Sequence, residues 1–171
     1  MGFIPNAEAV PIRYSAQGHG DQAIERFVEL LRLHRVELLV DTRSQPFSTR
    51  HPQFSQRTLA TLLDEASIRY VFLGDKLGGR PKNASLYDTT GKPDYAKMAE
   101  TPSYQAGIDT LIELACGDEN VAIMCSETDY RECHRYKLIS RSLALAGVQV
   151  WHVLRDGSLE DNPAPQIALF T

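Results

Sequence analysis

The residues with the greatest chemical capacity lie in one stretch, Met124-Cys125-Ser126-Glu127-Thr128-Asp129-Tyr130-Arg131-Glu132-Cys133-His134-Arg135. Cys125 follows the apolar run Val121-Ala122-Ile123-Met124 and stands where a buried strand would surface. Asp129 and Glu132 have the spacing of a capping box, so a helix is expected to begin there. A helix start presents free backbone N–H groups and a partial positive charge. It can hold a phosphate or carboxylate and can lower a thiol pKa from its ordinary value of about 8.5. On this reading Cys125 is a candidate nucleophile, Glu127 a general acid or base, and His134 a proton donor or acceptor. Cys133 and Arg135 would contact the substrate, Arg135 as a charge clamp. Plainer roles exist for each. Cys125 can be a small buried hydrophobe, Glu127 an ion-pair partner of Arg43 or Arg135, and His134 a capping or packing residue.

Further candidates follow the other strand-like runs, at the edge where open α/β sheets bind ligands. They are His19 in the turn Gln17-Gly18-His19-Gly20-Asp21, Asp41 and Arg43 after the second strand, and Gly78, Gly79 and Arg80 after the third. The plain reading of Gly78-Gly79 is a turn that needs positive φ. Cys125, Cys133, His134 and His19 are all capable zinc ligands, but their spacing is not that of a ribbon or knuckle. Neighbours on a helix also point about 100° apart, which sets Cys133 against His134. No metal and no cofactor is therefore expected. The Gly18–Gly20 turn is too short for a dinucleotide fingerprint and lacks the P-loop lysine.

The elements that must position these residues alternate. Strands are expected over residues 10–15, 37–40, 69–73, 121–124 and 148–154. Helical spacing follows Asp21, a plausible cap, at Ile24, Phe27, Val28 and Leu31. It recurs after Ser55 at Leu59, Leu62, Leu63 and Ala66, then at Ile108, Leu111, Ile112 and Ala115. The last helix carries Leu138, Ile139, Leu143 and Ala146 and ends at Gly147. Helical signals are weak around residues 95–100. Residues 42–54 and 74–92 read as long loops, and 156–171 as a polar tail. The pattern implies a single-domain Rossmann-like α/β fold over residues 1–171: a mostly parallel sheet with helices on both faces, a core over about 10–157, and a tail from 158.

Composition narrows the function. Apolar residues make up 43% of the 171, enough for a core, and the net charge of −4 excludes bulk coating of nucleic acid or membrane. The basic residues concentrate in the loops. Residues 42–57 hold Arg43, Arg50 and Arg57 without an acid, and residues 74–92 hold Lys76, Arg80, Lys82 and Lys92 against Asp75 and Asp88. A basic rim on an acidic body favours an anionic ligand. Cys116, Cys125 and Cys133 are too few and odd in number for a disulfide framework, which points to reduced thiols in the cytoplasm. No secretory leader and no membrane-spanning run is expected.

Several of these residues together resemble the Domain of Unknown Function 488 family. They are the Gly18-His19 turn, Val40-Asp41-Thr42-Arg43 with Pro46 and Ser48, Tyr70, Leu77-Gly78-Gly79, Met124-Cys125-Ser126-Glu127, Cys133-His134-Arg135 and His152. The likeness runs from about Ser15 to Gly157. It departs at Ala16-Gln17-Gly18-His19-Gly20, where the family often has a serine after the histidine. The resemblance implies a small Rossmann-like domain and a site location, and no settled activity. The strand ending Asp41-Thr42-Arg43 also resembles rhodanese domains, whose six-residue loop after the cysteine is not matched by Ser126 to Arg131. The expected function is an enzyme acting on a phosphate-bearing, nucleotide or nucleic-acid substrate through Cys125, Glu127 and His134. A non-catalytic nucleotide- or nucleic-acid-binding module is the alternative, and a protein-interaction domain a further one.

Overall fold

The central strand is apolar to its last residue. Leu38-Leu39-Val40-Asp41 forms β2 (Leu38–Asp41), and all four residues are buried. Such a run suits a parallel strand covered on both faces. In the computed structural model, which describes residues 12–15, 23–127 and 129–162, β2 pairs in parallel with β3 (Arg69–Phe72) on one side and β4 (Val121–Met124) on the other. Asp41 stands level with Phe72 and Met124, so the three strands end at one edge. A second ladder joins β1 (Ile12–Ser15) in parallel to β5 (Val150–Val153), and β5 to an antiparallel β6 (Leu159–Asp161). β1 lies alongside β4.

Period-two alternation divides the core. Leu38, Val40, Val121 and Ile123 face Leu77, Ile108, Leu111, Leu138 and Leu143. Leu39, Ala122 and Met124 face Phe27, Leu31, Phe54, Leu59 and Leu63. Helices α1 (Ile24–Leu33) and α2 (Gln56–Glu65) therefore cover one face. The other is covered by α3 (Gly74–Leu77), α4 (Tyr95–Ala99), α5 (Pro102–Ala115) and α6 (Arg141–Leu145). Burying one such leucine contributes about 1.5–3 kcal/mol.

The architecture is mixed α/β as expected, and the differences are local. Residues 156–171 were read without an element, yet Leu159–Asp161 closes a hairpin onto β5 around Gly157, whose φ is +92°. Residues 74–92, a loop by sequence pattern, open with the single turn α3 and later form a 3₁₀ turn at Ala84–Leu86. Ser55 occupies the N-cap of α2 without capping it, because its hydroxyl oxygen accepts instead from the Ser48 backbone N–H, while the hydroxyl donates to the Ser48 carbonyl. Gly147 ends α6 with φ +81°, as its position predicts. Asp21 and the tail from 163 lie outside the described residues. No helix among the described residues is long and apolar enough to cross a membrane.

Candidate functional site

The end of β2 carries a buried charge pair. Asp41 is fully buried and Arg43 is 2% exposed. The Arg43 Nε donates to Asp41 Oδ1 at 2.9 Å and Nη2 to Oδ2 at 2.6 Å, while the Arg43 backbone N–H adds a bond to Oδ1 at 3.0 Å. The Tyr70 hydroxyl, from the next strand, donates to Oδ2 at 2.7 Å. Burial first and the Asp41 carboxylate second hold the Tyr70 hydroxyl protonated, raising its pKa well above the ordinary value. Asp41 is thus saturated with donors. The Nη1 of Arg43 is buried and finds no partner among the described residues.

Thr42, between them, ties three elements together. Its backbone N–H and its hydroxyl both donate to the Met124 carbonyl, at 3.0 and 2.8 Å, extending the β2–β4 ladder by one residue. Its own carbonyl accepts from His134 Nε2 at 3.2 Å. A carbonyl can only accept, so Nε2 carries the proton and Nδ1 is left with a lone pair. Nδ1 lies 3.6 Å from the Cys133 sulfur. Burial, then the charges of Arg135 and Arg80, press the His134 pKa down to about 4, so the ring is neutral at pH 7.

The helix expected from Asp129 does not start there. The Asp129 carboxylate caps a 3₁₀ turn, Tyr130–Glu132, by accepting from the Arg131 backbone N–H at 2.9 Å. Cys133 is then extended, with φ −90° and ψ 146°. Helical backbone begins at His134 and runs through a π-helical segment, Arg135–Ser140, into α6. Cys125 therefore does not sit at a helix start as an open thiolate. It is 1% exposed and joined to Cys133 as a disulfide, with Cα atoms 7.4 Å apart. The sparse cysteines thus do hold a pair, and the free thiol of Cys116 is exposed at the end of α5.

Above this layer opens a cleft of about 380 Å³ whose walls include Arg43, Ser44, Arg80, Tyr95, Glu127 and His134. A neighbouring hollow of about 360 Å³ shares Ser44 and Arg80 and adds Lys76 and Lys82. The structure brings Arg43, Gly79, Arg80, Glu127 and His134 of the expected set to the cleft wall. Asp41, Cys125, Cys133 and Arg135 lie behind it, all nearly or fully buried. Arg135 is beneath the site, where its charge depresses His134. Glu127 is exposed, and no ion pair joins it to Arg43 or Arg135. His19 lies outside the described residues.

Gly78 and Gly79 are used differently from the turn reading, since neither has positive φ. A Cβ on Gly79 would sit 2.5 Å from His134 Cγ, and one on Gly78 would meet the Ser44 hydroxyl at 2.4 Å. They permit close approach. The Ser44 hydroxyl accepts from the Arg80 backbone N–H at 2.8 Å and holds the two loops together. Thr42, Ser44, Phe47 and Tyr95 escaped the reading of single motifs, because their roles depend on which loops meet. The polarity of residues 42–48 immediately after a buried strand was the available signal.

The fold and the cleft define a mixed α/β protein with a polar site at the carboxyl edge of a parallel sheet. The model of the family described as Domain of unknown function DUF488 matches residues 23–141, and the chain belongs to that family. The Gly18-His19 turn and His152 lie outside the matched span, while the Asp41, Gly78-Gly79 and Cys125–Arg135 segments lie inside it. No curated protein and no solved structure matches the chain.

Proposed function

We propose that the cleft binds a phosphate-bearing ligand, a nucleotide or a nucleic-acid end, and acts on it with Glu127 as general acid or base. The observation that carries this reading is Arg43. Two of its nitrogens are spent on Asp41, the third is a buried donor without a partner among the described residues, and the residue lines the cleft. A buried donor left unmade costs about 1–3 kcal/mol, which an anionic oxygen would recover. Arg80 adds a charge on the same wall, and exposed Phe47 and half-buried Tyr95 add π faces suited to a base. With Cys125 behind the wall and His134 holding Thr42, Glu127 is the acid best placed to meet a ligand. Glu132, also on the wall, is engaged by Lys137 at 2.9 Å.

The second reading, a binding module without turnover, is favoured by the adjacent hollow. Lys76 and Lys82 extend the basic surface beyond Arg80, as a polyanion would require. The alternation of strands and helices, with β1 against β4, supports one continuous Rossmann-like sheet. The exposed free thiol of Cys116 fits a reducing, cytoplasmic setting, and the Cys125–Cys133 bond fits an oxidising one.

A panel of nucleotides and short oligonucleotides separates the two readings. The enzyme reading expects turnover of at least one member, lost in Glu127→Gln while binding persists. Thermal stabilisation by a member that is never turned over would establish the binding module instead. An affinity that does not fall with salt would remove the phosphate ligand from both.

A further inference from the structure

Three ligating atoms converge behind the cleft wall. The sulfurs of Cys125 and Cys133 and Nδ1 of His134 all lie within 4.8 Å of one another. On successive helical positions Cys133 and His134 would point about 100° apart, away from a shared ion. The backbone removes that objection, because Cys133 is extended while His134, at φ −57° and ψ −27°, opens the helix. The two side chains can then turn to the same point.

The surroundings are those of a metal ligand set. His134 donates its Nε2 proton to a backbone carbonyl, Thr42, and aims a free Nδ1 lone pair at the sulfurs. That is how metal-bound histidines are ordinarily held. The backbone N–H of Arg135 points at the Cys133 sulfur at 3.4 Å, an outer hydrogen bond of the kind that orients a metal ligand. The Cα atoms of the two cysteines are 7.4 Å apart, wider than the roughly 4.4–6.8 Å that a disulfide usually spans. Two sulfurs on one tetrahedral zinc, with bonds of about 2.3 Å, stand about 3.8 Å apart, and the wider span suits them. Two thiolates also cancel the double charge of the ion, so the buried Arg135 guanidinium meets a neutral cluster.

We infer that in the reduced protein Cys125, Cys133 and His134 bind one zinc ion, leaving a fourth position for water or for the ligand of the cleft. Two cysteines and one histidine with an open position is a known catalytic zinc set. Loading the dithiol releases two thiol protons to solvent. Where the cysteines are joined, a phosphine or dithiol reductant must first supply two electrons, and each sulfur takes up a proton. The inference stands on this geometry and is independent of which ligand the cleft accepts.

The full chain, reduced with a phosphine without oxygen, is titrated with Zn²⁺ alone against a colorimetric chelator, and with Co²⁺ while thiolate-to-metal absorption is followed. One equivalent per chain with a thiolate band is expected. Cys125→Ser and Cys133→Ser should each weaken binding by more than the roughly 10–100-fold that changes around a ligand set cost. Cys116→Ser should bind as the parent does. Far-UV circular dichroism confirms that each variant is folded, and if both cysteine variants unfold the parent's Co²⁺ spectrum decides. A folded, reduced parent that binds no metal, or binds it without a thiolate band, overturns the inference, as does undiminished binding in folded Cys133→Ser. Failure of every nucleotide substrate leaves these titrations unaffected.

Discussion

At the scale of single residues, the buried pair Asp41–Arg43 is the most consequential feature. Both charges are out of water, and each is tolerable because the other is there. Arg43→Met leaves the buried Asp41 carboxylate without its counter-charge, with the Tyr70 hydroxyl and the residue-43 backbone N–H as donors, and should cost about 3–5 kcal/mol in chemical denaturation. Tyr70→Phe removes one bond to a charged acceptor and should cost about 1.5–3 kcal/mol. Asp41→Leu combined with Arg43→Met should cost less than Arg43→Met alone, since no lone charge remains. A double variant as unstable as the sum of its singles would show that the two side chains do not act as a pair. The residues of this site were legible by type and by position along the chain, as Asp41 and Arg43 end an apolar strand. Their mutual engagement was not, because the sequence cannot say whether an arginine two residues beyond an aspartate folds back or faces a ligand. Arg43 does both.

At the scale of elements, the short helix α3 shows what the sequence conceals. Its four residues, Gly74-Asp75-Lys76-Leu77, have too little length for any helical period to appear. It forms because Gly74 lets it lie against the loop after β2. A Cβ there would fall 1.9 Å from the Arg43 carbonyl oxygen and 2.6 Å from the Phe72 ring. Gly74→Ala should therefore cost about 3 kcal/mol of stability, the upper end of overpacking costs, read as a lower urea midpoint at an unchanged slope. A neutral substitution would mean that α3 is not seated as described. The region after β4 carried the opposite kind of signal. Asp129 and Glu132 matched a capping box, and Asp129 does cap, but it caps a 3₁₀ turn. Spacing reports that a backbone N–H is satisfied locally and is silent on whether the turn continues into a helix.

At the scale of the molecule, the alternation of apolar runs made the parallel strands β2, β3 and β4 readable, and the two-sided burial of β2 and β4 explains why those runs lack polar breaks. Strand order and the β5–β6 hairpin were not readable, since both depend on partners distant in the chain. That hairpin holds the last strand's histidine. His152 is buried, stacked on Tyr130 at 4.0 Å, and bonded through Nε2 to Asn162 Oδ1 at 3.1 Å. Burial above all, with the charges of Arg135 and Arg131 against that of Glu160, presses its pKa down to about 4. The unfolded chain, with a histidine near 6.5, takes up protons first on acidification. The stability held by neutral His152 is therefore present above about pH 6.5 and is lost as pH falls toward 4. His134 acts in the same direction. Melting temperatures should fall over that interval, and His152→Phe should show a shallower decline than the parent. Parallel declines would exclude a contribution from His152.

The position of β2 has one more consequence. It is the middle strand of the β3-β2-β4 ladder, with helices above and below, and Thr42-Arg43 continues directly from its last residue, Asp41. Segments so enclosed open only when nearly everything else does. The arginine that lines the cleft thus follows closely on a fully buried strand, two residues beyond its last. The Arg43 side chain on the cleft wall therefore has its place set by folding, through Asp41, and not by a loop of its own.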